Sequence, residues 1–500
     1  MQLRHTSRSI RTDSRPVGHV CHRCHGSCVS HGFPTHLTRG CTSPLNSNTS
    51  QSHASSLGTT TLVCLVVANM IGAGVYTTSG FSLAELESRS LVVLAWVAGG
   101  AIALTGTIPY AVLIGHLRES GGEYLLLSRL LHPAAGFIAG WISLAAGFTG
   151  AIAFAASAAG HYASPAIGPE NSMASPEILA TILILAGVLL HAIRVQVGAS
   201  FQNALVFLKL LVLVIFVGVG AWALLMHEPS YATPERAPSS PTPTIAAFAT
   251  VVMWISLSYS GFNAAIYIAD EVRHPARTIP RAMMLATLLV ALLYITLNAL
   301  FAYSGPVDQL AGQSNIATIA ASFLGGERLE IAMRWVIVLS LCTSVSSMLM
   351  IGPRVYSKMA QDGLFPRASL FDATPPRTAI VLQGLLAIAV VWISTLEGLL
   401  SYLGLTLALS TACTVAMVFR LPRGSVRAYH KIAALLYIFI TLTFGSLMSW
   451  RRPVEFAIAL LTIAAGVGGY WLSRFVGASA TRRPDQHDRA RPDPQQESRA

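Results

Sequence analysis

The stretch that decides the fold is Ile71-Gly72-Ala73-Gly74-Val75-Tyr76, in the middle of the first long apolar segment, residues 57–81. Two glycines spaced two apart weaken a helix interior, because each costs about 0.5–1 kcal/mol relative to alanine. In a membrane, a broken helix is tolerated where its freed N–H and C=O groups line a cavity or are buried in protein. The stretch therefore predicts a broken helix beside a pocket. The alternative is that these small residues only let helices pack closely.

Composition places the chain among the multi-span membrane proteins. Hydrophobic residues make up 53% of the 500 residues and charged residues 11%, and the mean hydropathy is +0.58. Soluble domains carry about 25% charged residues. One crossing needs about 20 apolar residues in a helix, and the sequence predicts an all-α membrane protein with twelve transmembrane helices. The predicted spans are residues 57–81, 91–115, 133–160, 177–193, 202–226, 245–269, 281–304, 331–353, 379–396, 399–420, 431–450 and 454–475.

Lysine and arginine are distributed unevenly among the loops between these spans. Most lie in loops on the side of the N-terminus, for example Arg273, Arg277, Arg281, Arg423 and Arg427. Because short cytoplasmic loops are enriched in positive residues, both termini are predicted to be cytoplasmic. The net charge of +11 follows from this bias, so no nucleic-acid partner is expected.

The two ends of the chain are polar and contain no span. Residues 1–56 are predicted to be a disordered tail, or the product of a start site assigned too far upstream, and residues 476–500 a disordered cytoplasmic tail. Cys21, Cys24 and His25 match a haem-attachment pattern, with Cys28 and Cys41 nearby as candidate metal ligands. Haem attachment needs export, which the predicted topology denies. No metal and no cofactor are therefore expected.

The sixth predicted span carries a second interruption, Ser256-Leu257-Ser258-Tyr259-Ser260-Gly261-Phe262-Asn263-Ala264-Ala265. Paired interruptions at corresponding positions of two halves indicate the binding site of a transporter. The first and sixth spans then correspond, which predicts a five-plus-five inverted repeat with broken first and sixth helices. The repeats are residues 57–226 and 245–420, and the last two spans occupy residues 431–475.

Two facing breaks define a binding chemistry. The N–H groups exposed at Gly72, Ala73 and Gly74 would accept a carboxylate, and carbonyls freed in the sixth span would accept an ammonium group. A ligand that carries both groups on one carbon is an α-amino acid. The predicted substrate-binding residues are Ile71, Gly72, Ala73, Gly74, Tyr259, Ser260, Gly261 and Phe262.

Lys209 lies deeper in a predicted span than any other acid or base. It is about eight residues into the fifth span, or on the order of 10 Å at 1.5 Å per residue. Ionisable residues inside a membrane are functional candidates by default. The alternative is that the four-carbon stem lets the ammonium group snorkel to the inner surface.

Five stretches together resemble one family over about residues 57–475. They are Asn69 to Tyr76, Ser120-Gly121-Gly122-Glu123-Tyr124, Tyr259 to Ala282, Gly352 to Pro366, and Glu397 to Thr406. The chain is similar to permeases of the amino acid–polyamine–organocation superfamily, and within it resembles bacterial amino acid permeases related to the L-type transporters.

The resemblance implies a sodium-independent secondary transporter in the bacterial inner membrane, with an amino acid as substrate. It implies that Lys209 replaces the cation that sodium-coupled relatives bind between the first and eighth spans, where Ser344, Ser346 and Ser347 lie. Protonation of Lys209 would then couple transport to protons. One departure is Leu257, where such permeases often have a gating aromatic residue; either Phe262 covers the site instead or the substrate range differs.

Other functions remain as alternatives. An amino acid exchanger of the same fold is one, and a transport-incompetent amino acid sensor is another. An enzyme is not expected, because the polar residues predicted to be buried in the membrane are Ser, Thr, Asn and one Lys, with no paired carboxylates and no histidine cluster.

Overall fold

In a computed structural model, the chain is described over residues 58–117, 121–168, 175–192, 199–226, 245–364, 377–422 and 424–480. These residues form helices and no strand. The α-helices are α1 Thr59–Met70, α2 Gly74–Leu86, α3 Arg89–His116, α4 Gly122–Leu130, α5 Pro133–Ile142, α6 Ala151–Ile167, α7 Pro176–Ala192, α8 Ala199–Met226, α9 Ile245–Ser258, α10 Pro275–Tyr303, α11 Val307–Leu310, α12 Ile316–Gln361, α13 Arg377–Ile393, α14 Leu396–Ala416, α15 Ala428–Arg451 and α16 Pro453–Ala480. The cysteines at 21–41 and the tail beyond Ala480 lie outside the described residues.

The lengths of the apolar helices agree with a multi-span membrane protein. Nine continuous helical segments of the described chain are long and apolar enough to cross a bilayer. Three shorter apolar helices, α7, α9 and α13, lie where the fourth, sixth and ninth spans were predicted. The all-α membrane fold is thus confirmed, while the count of twelve and the equivalence of the two halves stay predictions.

Burial separates central from peripheral helices. In the segments Pro133–Ile167 and Leu396–Arg420, about two-thirds of the most apolar stretch of residues is buried inside the protein. In α8 and α16 the buried share is 22%. The central helices carry the small residues that allow close approach, whereas α8 and α16 present Leu, Ile and Val outward, as a lipid-facing helix does. We call the face of the bundle on which α1 begins the N-terminal face, and the other the opposite face.

The first predicted break is present in the structure. α1 ends at Met70 and α2 begins at Gly74, and Ile71 between them has φ −77° and ψ 82°, outside the helical region. The helix is therefore interrupted for one turn at the glycine pair.

The second predicted break is longer. α9 ends at Ser258, and a 3-10 helix runs from Ala264 to Glu271 after a five-residue turn. Gly261 in this turn has φ +96°, and a Cβ on it would lie 3.0 Å from the backbone C and O of Asn69. Only glycine meets both conditions at low strain. The two breaks are thus in direct contact.

The third predicted span also departs from a regular α-helix. Residues Ser143–Gly150, between α5 and α6, are π-helical. Such turns occur often at functional sites, because the extra residue redirects side chains. Here the π-helical turn faces the two breaks, as described below.

The opposite face is closed by a loop and a charged cluster. Gly312, after α11, donates its N–H to Gly80 O of α2 at 2.8 Å, and a Cβ on Gly80 would lie 1.9 Å from Gln313 O. Beside this contact, an ionic cluster joins the ends of four helices. Its members are Glu85, Glu397, Arg451 and Arg452.

Candidate functional site

A cavity of about 390 Å³ lies at the two breaks. We call it the break cavity. Its wall includes Gly72 and Ala73 of the first break, Ser260 and Gly261 of the second, and Gly147 of the π-helical turn. The volume lies within the range of small-ligand pockets, about 300–1,000 Å³. The wall combines residues from predicted spans one, three, six, eight and ten, so a ligand there would touch the centre of the bundle.

The break cavity extends toward the N-terminal face. Thr61 and Cys64, from the first two turns of α1, line it, as does Glu271 at the end of the 3-10 helix. On the other side of the breaks lie the aromatic rings of Trp96, Tyr259 and Tyr294.

These three rings pack against one another on the side of the breaks toward the opposite face. The ring of Trp96 makes edge contacts with Tyr259 at 5.9 Å and with Tyr294 at 5.5 Å. The hydroxyl of Tyr294 donates to Met70 O at 2.6 Å, and that of Tyr259 to Trp96 O at 3.2 Å. Sequence reasoning missed this cluster, because its members come from three separate helices.

The two glycines of the first break have different environments. A Cβ on Gly72 would meet no atom within 4 Å, and Gly72 lines the break cavity. A Cβ on Gly74 would lie 2.3 Å from Ser258 Oγ. Gly74 also lines the break cavity, so the pocket occurs at both glycines and the close packing at Gly74.

Backbone donors are available at the first break. Within the described residues, no hydrogen-bond acceptor is found for the N–H groups of Ala73, Gly74 and Val75, which begin α2. Gly72 instead donates its N–H to Met70 O at 2.8 Å. The Ile71 side chain is fully buried. The free donors lie at the positive end of a helix, where an anion is favoured.

Backbone acceptors are available at the second break. In the described chain, no donor reaches the carbonyl oxygens of Tyr259 and Ser260, whereas the Gly261 carbonyl accepts the Ala264 N–H at 2.9 Å. Ser260, Gly261 and Phe262 line the cavity, while the Tyr259 ring turns away into the aromatic cluster. Free carbonyls at a broken helix are suited to a cationic group.

Lys209 contacts the first break directly. Its side chain is 8% exposed, and its Nζ donates to Ile71 O. Burial of an ammonium group is expensive unless its protons are bonded, and this carbonyl, freed by the break, supplies one bond. The sequence placed Lys209 on the fifth span, and the structure places its charge behind the wall of the break cavity.

The structure also brings to the cavity a carboxylate that the sequence analysis did not include among the site residues. Glu123 of α4 lines the cavity and is 6% exposed. Tyr110 and Ser410 donate to it at 2.5 and 2.7 Å. Its position in the Ser120–Tyr124 motif was noted, but only the tertiary contacts show that it is buried.

Two interrupted helices, free backbone donors and acceptors, and a central cavity define a membrane transporter rather than an enzyme. Residues 57–421 match the amino acid permease family. The chain belongs to this family.

Three individual relatives, all amino acid transporters by name, share a quarter or less of their aligned residues with this chain. The chain is 25% identical over 426 residues to the large neutral amino acids transporter small subunit 2 of Rattus norvegicus, covering 82% of this chain and 78% of the relative. It is 23% identical over 447 residues to the b(0,+)-type amino acid transporter 1 of Mus musculus, covering 84% and 90%. It is 22% identical over 438 residues to the Asc-type amino acid transporter 1 of Homo sapiens, covering 84% and 82%.

Proposed function

We propose that this protein is a secondary active transporter that moves α-amino acids across the cytoplasmic membrane, independently of sodium and coupled to protons. The observation that carries the proposal is the pairing of free N–H groups at the first break with free carbonyls at the second, around one cavity. A ligand that satisfies both sets carries a carboxylate and an ammonium group. The names of the relatives, all amino acid transporters, support the same substrate class.

The substrate carboxylate binds at Gly72, Ala73 and Gly74. The N–H groups of Ala73 and Gly74 are free for it, and Gly72 leaves the backbone uncovered on the cavity side. Charge-assisted hydrogen bonds of this kind are short and about twice as strong as neutral ones. The ammonium group binds at the carbonyls of Tyr259 and Ser260, with Gly261 adjacent.

The substrate side chain meets a mostly apolar wall. Phe148, Phe154, Leu257, Met348 and Leu407 line the break cavity. An uncharged side chain is favoured against these five residues, because a charge beside them would lose its hydration without gaining a partner. Leu257 leaves room that an aromatic residue would fill, and Phe262 forms another part of the wall.

Lys209 is the coupling residue. Its ammonium group supports the first break from behind, through Ile71 O. The serines at the position of a sodium site have other partners, since Ser344 donates to Ser340 O at 3.1 Å and Ser346 pairs with His191 at 2.8 Å. Loss of the Lys209 proton weakens the bond to Ile71 O, and this links the protonation of Lys209 to the geometry of the carboxylate site.

The membrane is the bacterial inner membrane, with both termini cytoplasmic. The loop bias in Lys and Arg supports this orientation. The N-terminal face is then cytoplasmic, and the break cavity extends toward the cytoplasm.

The test is uptake of a panel of radiolabelled amino acids into proteoliposomes, with and without an imposed proton gradient. We expect gradient-driven accumulation by the wild type, and its loss in Lys209→Ala and in Lys209→Met, which keeps the aliphatic volume. Lys358→Ala is the matched control, because Lys358 lies at the N-terminal face in a partly exposed pair with Asp362.

Two results would overturn parts of the proposal. If uptake does not depend on the proton gradient but requires amino acid inside the proteoliposomes, the protein is an exchanger and Lys209 is a structural cation. Absence of uptake for every amino acid would reject the pairing of carboxylate and ammonium sites.

A further inference from the structure

Glu123 is placed in the cavity wall by a backbone that only glycine allows. Gly122 has φ +61°, and a Cβ on it would lie 2.0 Å from the Tyr267 ring. The chain therefore passes close under this ring, and the next side chain, Glu123, enters the bundle. α4 lies between the second and third predicted spans, so this carboxylate belongs to a loop helix and not to a span.

The two carboxylate oxygens have unequal partners. Oε1 accepts three hydrogen bonds, from Tyr110 OH at 2.5 Å, Asn263 Nδ2 at 3.1 Å and Thr411 Oγ1 at 3.1 Å. Oε2 accepts one, from Ser410 Oγ at 2.7 Å. Through these bonds Glu123 joins α3, the second break and α14.

This arrangement can accommodate a proton at one oxygen only. A proton on Oε1 would oppose three donors, and the Asn263 amide N–H₂ cannot act as an acceptor. A proton on Oε2 faces the Ser410 hydroxyl, which accepts as well as it donates once it rotates. Oε1 keeps its three donors in either case. Each oxygen of the carboxyl group therefore keeps a hydrogen-bond partner with and without a proton on Oε2.

The surroundings do not neutralise a charge on Glu123. The ionisable groups that face it are Tyr110 of α3, Tyr267 of the 3-10 helix, Cys413 of α14 and Tyr437 of α15. No lysine or arginine of the described residues is among them. Burial raises the pKa of the Glu123 carboxyl, and the four hydrogen bonds oppose this rise only in part.

We infer that Glu123 is a proton-binding group of the break cavity, which takes its proton on Oε2 and thereby controls how firmly the second break is held. The inference rests on the proposed function only where it concerns transport. Ionised Glu123 holds Asn263 by a charge-assisted hydrogen bond, and protonated Glu123 holds it by a neutral bond about half as strong. Because Glu123 lines the cavity, the proton comes from and returns to water there. Glu123 is a positioning residue of the second break.

Infrared difference spectroscopy tests proton binding without any transport assay. Spectra of the purified full-length protein are compared between about pH 5 and pH 8, above the ordinary pKa of about 4.3 for Glu. We expect a protonated-carboxyl band at low pH that is lost on raising the pH and is absent from Glu123→Gln at every pH. A band that persists in Glu123→Gln, or the lack of any titrating band in the wild type, would overturn the inference.

Glu123→Gln is a close copy of the protonated form. Its amide oxygen can take the three donors of Oε1, and its N–H₂ can donate to Ser410. Glu177→Gln is the matched control, because Glu177 lies in the first turn of α7 and not in the cavity wall. The control is expected to keep the band.

Counterflow of radiolabelled amino acid, with equal pH on both sides of the proteoliposome membrane, tests the effect on transport. We expect the wild-type rate to vary by up to about tenfold per pH unit where one group titrates. The Glu123→Gln rate should lose the part of this dependence that Glu123 supplies and keep only the part that Lys209 supplies. A Glu123→Gln profile that follows the wild type would overturn the role in transport. Absence of wild-type counterflow for every amino acid would instead reject the proposed function, and the infrared titration would still decide proton binding.

Ser410→Ala gives a second variant that does not alter the carboxyl group. It removes a charge-assisted bond from the ionised form and only a neutral bond from the protonated form. The titration midpoint of the infrared band should therefore move to higher pH. An unchanged midpoint would contradict the assignment of the proton to Oε2.

Discussion

Gly72 and Gly74 show how much a single position can decide. Both are glycines of one turn, yet Gly72 opens on empty space and Gly74 lies against Ser258. The sequence could predict the break from their spacing, but it could not assign pocket and packing roles to them separately. That assignment depends on where α9 passes, and α9 is more than 170 residues away in the chain.

Alanine at each glycine should separate the two roles. Gly74→Ala forces a methyl group into Ser258, and overpacking of this kind costs about 1–3 kcal/mol, so the apparent melting temperature should fall. Gly72→Ala should leave the melting temperature near the wild-type value and raise the KM for amino acid uptake, since its methyl group projects beside the carboxylate site. Fluorescence-monitored unfolding and proteoliposome uptake measure the two effects. An equal loss of stability in both variants would contradict this distinction.

Glu123 should also make the stability of the fold depend on pH. Its pKa is raised in the folded protein, so the unfolded chain releases the proton at lower pH than the native state does. As pH rises through the unfolded value, about 4.3 for Glu, the native state loses stability relative to the unfolded state until Glu123 itself has ionised. Glu123→Gln removes this term, so its melting temperature should exceed the wild-type value by more at pH 8 than at pH 5. A difference that does not change with pH would argue against a raised native pKa.

At the scale of elements, α9 and the break that follows it are held at two positions. At its break, Asn263 is bonded to Glu123, and near the opposite face the guanidinium of Arg452 lies 5.3 Å from the centroid of the Trp254 ring. Trp254 donates its Nε1–H to Ser401 of α14 at 2.8 Å. Arg452 also pairs with Glu85 of α2 and Glu397 of α14. The C-terminal end of α2, the N-terminal end of α14 and the Trp254 ring therefore meet at one side chain.

Removing Arg452 should favour opening of the opposite face. Each partly exposed ion pair is worth about 0–1 kcal/mol, so Arg452→Ala should lower the melting temperature only slightly, while it changes the rate of amino acid counterflow more. Arg451→Ala is the control, because Arg451 pairs with Glu85 alone and has no ring contact with Trp254. Counterflow rates at low and high salt measure the effect, since salt screens exposed pairs. Equal effects of the two substitutions would rule out a special role for Arg452.

The helix α4 shows why part of the site escaped prediction. It is nine residues long and lies between two longer helices. The burial of Glu123 results from contacts with Ser410 and Thr411, nearly 290 residues later in the chain. Local periodicity carries no information about such distant partners. Lys209 could be predicted because depth within an apolar run is a local property.

At the scale of the whole molecule, the two faces are built differently. The opposite face is closed by the docked loop at Gly312, by the ionic cluster and by the aromatic rings around Trp96. The N-terminal face leads to the break cavity past Thr61 and Cys64. Composition predicted the class of protein and charge bias predicted its orientation, but neither indicates which face is closed. This asymmetry belongs to one conformational state. Transport requires at least one other state, in which the opposite face is open.

Cys64 provides a site for chemical labelling on the side of the breaks that leads to the N-terminal face. Its thiol lies in the cavity wall between the breaks and the N-terminal face, at a position the protein already provides. A thiol-directed reagent small enough to enter from that face would be attached within the path of the substrate. Protection of Cys64 by a transported amino acid would then identify the substrate without following its movement, and a bulky adduct there would be an irreversible, side-selective inhibitor.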